Sequence, residues 1–294
     1  MSDPVEKTFQ AKGARIVYFE WGKPGDPVVF LVHATGFHAR CWDQTVKALP
    51  AGFRVIAVDV RGHGRSEKTG SMRDWTVAAQ DIAELVEHLN LKDAIGAGHS
   101  MGGHLLVQVA ATHPGAFKRL LLIDPVMLAP EIYESPHLTG LPQGDAHPVA
   151  RRRNAWDSWQ QMFDAFKNRH PYSLWRPAVL EDYCRYGLLP KADGRGFELA
   201  CPPAIEASIY LGHAGADIYD KAAKVSVPVV VLRAKPRAPG PRDLADFAAS
   251  PTWEGVAKSF AKGRDVPLPH LTHFIPMQDP ELTARFIADE NATA

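Results

Sequence analysis

Gly98-His99-Ser100-Met101-Gly102 lies between an apolar run, Ala94–Gly98, and a segment of helical composition, Met101–His113. A serine at such a strand-to-helix junction sits in a strained turn, and glycine on both flanks lets the chain pass without a Cβ clash. Its hydroxyl is then exposed, and the helix N-terminus behind it favours negative charge. Those properties suit a nucleophile that attacks a carbonyl. The chemistry also needs a base to take the hydroxyl proton, an acid to orient that base, and two N–H donors for the oxyanion. His270 and His273, late in the chain, are candidate bases. The thirteen histidines show no His-Glu-x-x-His or comparable ligand spacing, so neither a metal nor a cofactor is expected.

The elements that must hold these residues follow from hydrophobic patterning. Arg15–Glu20, Val28–His33, Arg54–Asp59, Ala94–Gly98 and Arg119–Asp124 read as strands. Between them, Thr76–Asn90 places Ala79, Ile82, Leu85, Val86 and Leu89 at helical spacing, and Pro114 ends the helix Met101–His113. Strands alternating with helices at this rhythm imply a parallel sheet covered on both sides. From about Met127 to Gly215 there is no β-branched run, and aromatic residues accumulate. A helical insertion is expected there, with Trp156, Trp159, Gln160 and Phe163 on one face. Its aromatics either pack it onto the sheet or roof an apolar pocket. The rhythm then resumes with a strand over Val227–Leu232, a helix over Trp253–Phe260, a short strand over Asp265–Leu268 and a closing helix over Pro280–Asp289. The expected organisation is a core over residues 1–126, a helical cap over 127–215 and the rest of the core over 216–294.

With these motifs the chain resembles the α/β-hydrolase superfamily over essentially its whole length. Val32-His33-Ala34-Thr35-Gly36-Phe37, with Trp42 downstream, is similar to that family's His-Gly oxyanion loop. Asp59-Val60-Arg61-Gly62-His63-Gly64-Arg65-Ser66 is similar to the loop after its next strand, and His273-Phe274-Ile275-Pro276 to its histidine loop. One departure is Ala34, where the family usually has Gly. The resemblance implies a mostly parallel central sheet with helices on both faces and a helical cap. It also implies Ser100 as nucleophile, His273 as base, and the N–H groups of Met101 and Thr35 as oxyanion donors. His33, Arg61 and His63 then brace their loops, and His270 is a partly exposed loop residue. The usual place of the acid, just beyond Val227–Leu232, holds Arg233-Ala234-Lys235-Pro236-Arg237, with no carboxylate. Asp124, one strand–helix–strand step after Ser100, is the expected acid. Asp246 is the alternative, with Asp243 behind it.

Composition narrows the rest. The 294 residues carry 33 Lys+Arg and 33 Asp+Glu, a formal net charge of zero, which gives no basic face for nucleic acid and no attraction to an anionic membrane. Near-zero charge also leaves a homodimer unopposed by repulsion. No apolar run approaches the roughly 18 residues a spanning helix needs. Met1–Lys7 lacks the basic start and apolar core of a signal peptide, so a cytoplasmic protein is expected. Cys41, Cys184 and Cys201 imply no disulfide framework. The expected activity is that of a serine hydrolase cleaving a carboxylic ester or lactone of a small to medium apolar substrate. Serine in place of aspartate disfavours the haloalkane-dehalogenase and epoxide-hydrolase branches. Arg151-Arg152-Arg153 is expected on a solvated helix face; at a pocket mouth it would suit phosphates, and an acyl-CoA thioester would fit. A non-hydrolytic lyase and a ligand receptor on the same scaffold are the remaining alternatives.

Overall fold

The computed structural model describes residues 3–133, 147–212, 218–237, 248–289 and 291–293. The first strands, β1 (Val5–Gln10) and β2 (Arg15–Trp21), pair antiparallel, and β2 pairs antiparallel with β4 (Arg54–Asp59). From there β3 (Val28–Val32), β5 (Ala94–His99) and β6 (Phe117–Ile123) run parallel, and the sheet order among the described residues is β1-β2-β4-β3-β5-β6. Sequence patterning located these strands to within two residues, but β1 was not anticipated.

Residues alternate between the two faces of the sheet, as the two-residue period of a strand dictates. Ile16, Tyr18, Phe30 and Val32 pack with the helices α2 (Trp75–His88) and α3 (Met101–Thr112). Val17, Phe19, Val29 and Leu31 pack on the opposite face with Val46 of α1 (Asp43–Ala48) and with Phe286 near the C-terminus. Asp74 caps α2 by accepting from Thr76 N–H at 2.9 Å, which satisfies a donor the helix cannot.

After β6 the chain leaves the sheet for about a hundred residues. It forms α4 (Pro130–Tyr133), β7 (Ala155–Trp156), α5 (Trp159–Phe166), α6 (Pro177–Tyr186), β8 (Leu188–Pro190), β9 (Phe197–Leu199) and α7 (Pro203–Gly212). This segment is not wholly helical. β7, β9 and β8 make a small antiparallel sheet, with strands too short to leave a β-branched run in the sequence. Trp156 belongs to β7 and not to the helical face expected for it, since α5 begins only after its cap, Ser158.

The chain re-enters through α8 (Tyr219–Ala222) and completes the sheet with β10 (Val229–Ala234) and β11 (Gly263–Leu268), both parallel, β10 pairing with β6. The helix expected over Trp253–Phe260 is a single 3₁₀ turn, Val256–Ser259. A short α9 (Ile275–Gln278) precedes α10 (Pro280–Ala288), which Asp279 caps by accepting from Leu282 N–H. Among the described residues no helix is long and apolar enough to cross a membrane.

Candidate active site

Ser100 stands between β5 and α3 at φ 55°, ψ −119°, a left-handed conformation that L side chains rarely adopt. The glycines around it are required by contact. A Cβ on Gly102 would lie 2.2 Å from the Val32 carbonyl oxygen on β3, and one on Gly98 would lie 2.5 Å from the Gly102 oxygen. The strand, turn and helix therefore pack backbone to backbone, and the serine is forced outward at the sheet's end.

His273, in the loop between β11 and α9, comes 173 residues later in the chain, yet its Nε2 is 2.9 Å from Ser100 Oγ. Its Nδ1 is 2.6 Å from Asp124 Oδ2. Asp124 sits at the end of β6, fully buried, at φ 43°. Its other oxygen accepts from Ala234 N–H at 2.9 Å and from the Ser250 hydroxyl at 2.7 Å. With Asp124 accepting at Nδ1–H, Nε2 is free to accept the serine proton. The structure thus brings together Ser100, His273 and Asp124. Asp246 and Asp243 lie outside the described residues, and His270 is exposed.

The loop after β3 is braced by two histidines. His33 Nε2 accepts from Val60 N–H at 3.0 Å, so its proton is on Nδ1 and is donated to the Ala34 carbonyl at 2.7 Å. His63 Nε2 accepts from Gly36 N–H at 3.0 Å, and Nδ1 donates to the Arg61 carbonyl. Burial pushes both rings down, His33 well below the usual value and His63 to about 4, so both stay neutral and structural. Arg61 is held by Asp81 through two hydrogen bonds. Gly36 N–H is spent on His63, whereas Thr35 and Met101 N–H donate to no described residue. Thr35 Oγ1 reaches Met101 Sδ at 3.5 Å, which puts these two residues side by side. Ala34 has no positive φ, so its backbone needs no glycine, while Gly36 does have one, at 79°.

A cavity of about 670 Å³ adjoins this arrangement. It meets the loop after β3 at Thr35 and Phe37 and the loop between β11 and α9 at Phe274; Ser100 and His273 themselves are not on its wall. Trp156, Phe166, Tyr172, Trp175 and Tyr183 line it and pack ring against ring, Phe166 stacked on Tyr172 at 4.4 Å and Trp175 tilted against Phe274 at 5.2 Å. These aromatics both pack the segment and wall the cavity. Arg151, Arg152 and Arg153 are also on that wall; Arg151 and Arg153 are exposed, as expected of solvated charge, and Arg152 is half-buried. Burial works against the charge of Arg152, but the hydroxyl of Tyr183 at 3.1 Å and the carboxylate of Glu206 at 2.6 Å outweigh it and raise its pKa. Among the described residues no group of three or more His, Cys, Asp or Glu could hold a metal ion.

The sequence profile of the alpha/beta hydrolase family matches residues 28–286. The chain belongs to that family. As an alpha/beta hydrolase it is 34% identical, over 54% of its length, to the bifunctional esterase/perhydrolase of Acinetobacter calcoaceticus, of which it covers 54%. It is 41% identical over 39% of its length to a non-heme chloroperoxidase of Streptomyces lividans, of which it covers 42%. The chain thus spans about half the length of these curated relatives. A thioesterase domain from the curacin biosynthetic pathway shares its fold at a TM-score of 0.75 and 18% identity, over 98% of this chain and 100% of that one.

Three contributors to this site escaped the sequence. Ser250, 126 residues from Asp124, sits in no motif. Ala234 contributes only its backbone N–H, which no side chain announces. His99 donates from Nε2 to the His273 carbonyl at 2.7 Å and packs against that ring at 4.9 Å between centroids. Its position beside Ser100 was the one available signal.

Proposed function

We propose that this chain is a serine hydrolase that cleaves a carboxylic ester or lactone through an acyl-enzyme on Ser100. The observation that carries this reading is the unbroken path of hydrogen bonds from Ser100 Oγ through His273 to Asp124, at 2.9 and 2.6 Å. Ser100 Oγ attacks the carbonyl carbon as its proton passes to His273 Nε2. Asp124 keeps the other ring proton on Nδ1 and stabilises the imidazolium. The oxyanion is received by the N–H groups of Met101 and Thr35, each worth about 10²–10³ in rate. Collapse of the intermediate breaks the bond to the alcohol oxygen, which leaves with the proton from His273. Water then attacks the acyl-enzyme, its proton goes to His273, and the carboxylic acid departs with Ser100 restored. In a lactone the alcohol stays tethered, and the product is a hydroxy acid. The segment between β6 and β10 acts as the cap whose aromatic wall receives the substrate's apolar part.

The test is time-resolved hydrolysis of p-nitrophenyl esters from acetate to decanoate, with wild type beside Ser100→Ala. Many turnovers in the wild type and none in the variant are expected, and the optimal chain length sizes the cavity. Equal rates in the two proteins would remove Ser100 from the mechanism.

A further inference from the structure

The wall of the cavity is strongly charged as well as aromatic. Among its described lining residues are four arginines, Arg151, Arg152, Arg153 and Arg169, and a single carboxylate, Glu206. Their commitments differ. Arg152 is fixed by Glu206 and Tyr183. Arg153 donates to the Ala155 carbonyl at 2.8 Å and to Gln161 Oε1 at 2.6 Å, and its guanidinium lies 3.9 Å from the Trp156 ring. Arg151 and Arg169 have no carboxylate within ion-pairing distance among the described residues. Both are exposed. Arg169 is near enough to Tyr172 to pull that phenol's pKa downward against the rise that burial gives it.

Cations gathered on one concave wall focus their field into the cavity and raise the local concentration of anions there. A cavity of about 670 Å³ is in the size range of small-molecule sites, and low-dielectric aromatic walls strengthen a charge pair relative to open water. Guanidinium groups match the planar, two-oxygen geometry of carboxylate and phosphate. Glu206 does not oppose such a ligand, since Arg152 already neutralises it.

We propose that the cavity binds the anionic end of the substrate, an oxyanion group paired by Arg151 and Arg169 while the scissile carbonyl lies at Ser100. This rests on the serine-hydrolase reading and names its substrate class. The same chemistry has two sources: a carboxylate on the acyl chain or a phosphate carried by the leaving group.

Two matched pairs of substrates separate them. One is p-nitrophenyl hydrogen glutarate against its methyl-capped diester. The other is butyryl-CoA against the neutral thioester S-butyryl-N-acetylcysteamine. In one pair, the anionic member should exceed the neutral one in kcat/KM by about tenfold, the scale of a charge-assisted hydrogen bond. That ratio should fall as salt rises. It should collapse toward one in the double variant Arg151→Gln, Arg169→Gln and persist in Arg195→Gln, whose side chain is exposed and off the cavity wall. The pair that responds identifies the source. Equal rates within both pairs, or a preference that survives in the double variant, overturn the proposal.

Binding is read separately, by quenching of tryptophan fluorescence in Ser100→Ala titrated with glutarate and with CoA. Tight binding lost in the arginine variant, without turnover of any ester by wild type, would sink the hydrolase reading and keep the anion site. Ester turnover with no anion preference and no anion binding would do the reverse.

Discussion

At Ser100 and Asp124 two non-glycine residues hold positive φ angles of 55° and 43°. Each such conformation costs about 1–3 kcal/mol and persists only where the surroundings fix it. Here the Ser100 N–H donates to the Ile123 carbonyl at 2.9 Å, and the Asp124 N–H donates to the Leu232 carbonyl at 2.7 Å, so the ends of β5, β6 and β10 lock both residues. Asp124→Asn should lower kcat by about 10⁴, because an amide that donates toward Nδ1 favours the wrong tautomer. The melting temperature should stay close to wild type, since Oδ1 can still accept from Ala234 N–H. Steady-state kinetics beside a thermal melt checks both halves. A mild kinetic effect would move the acid elsewhere. Ser250→Ala removes one hydrogen bond from the carboxylate and leaves the other, so a drop in kcat of about tenfold is expected in the same assay.

Helix α3 can start directly behind Ser100 only because Gly98 and Gly102 allow the β5 backbone, the helix and β3 to touch. Gly102→Ala puts a Cβ 2.2 Å from a main-chain oxygen of a central strand, which cannot move aside as a side-chain tip could. A loss of about 3 kcal/mol or more is expected from such overpacking, read as a lowered urea midpoint. At Ala34 the opposite holds. Its backbone needs no glycine, so Ala34→Gly should cost about 0.5–1 kcal/mol through a freer unfolded chain and should leave kcat no higher. A rise in kcat would show that the loop after β3 is held too tightly by alanine. The segment after β6 illustrates where patterning fails at this scale. Its strands run for two or three residues, and Trp156 carries no sign that it belongs to one of them.

Across the whole molecule, stability is tied to histidines buried in neutral form. His33, His38, His63 and His99 are all driven down by burial, His38 to about 3 and His63 to about 4. An unfolded histidine titrates near 6.5, so below that pH the unfolded chain binds protons the folded one refuses. Stability is therefore full above about pH 6.5 and is lost as pH falls toward 4, by about 2 kcal/mol for His63 alone at pH 5. Asp182, raised to about 6 mainly by burial, has the opposite sign and regains about 1 kcal/mol over the same interval. Asp43, Asp59, Asp81 and Glu206 are raised by burial in the same sense as Asp182, but only the histidines have an unfolded value inside this interval, so urea midpoints should fall between pH 7 and pH 5. A flat profile would mean that these rings are solvated in the folded protein.

Sequence patterning alone located every strand of the main sheet but β1, the helices α2, α3 and α10, and the strained turn at Ser100. Those features arise from local periods and from residue types, such as Gly98 and Gly102, that a single turn requires. Tertiary structure alone decided what answers across the sheet. Asp124 was the expected acid, with Asp246 and Asp243 as alternatives, and it is the packing of β6 beside β10 that sets it against His273. Ser250 and the Ala234 N–H joined it by the same closure, from positions no motif marks. Arg151, Arg152 and Arg153 likewise read only as charge along the chain, because which cavity a side chain faces is a property of the packed molecule. Only folding turned them, with Arg169, into the cationic wall of a cavity.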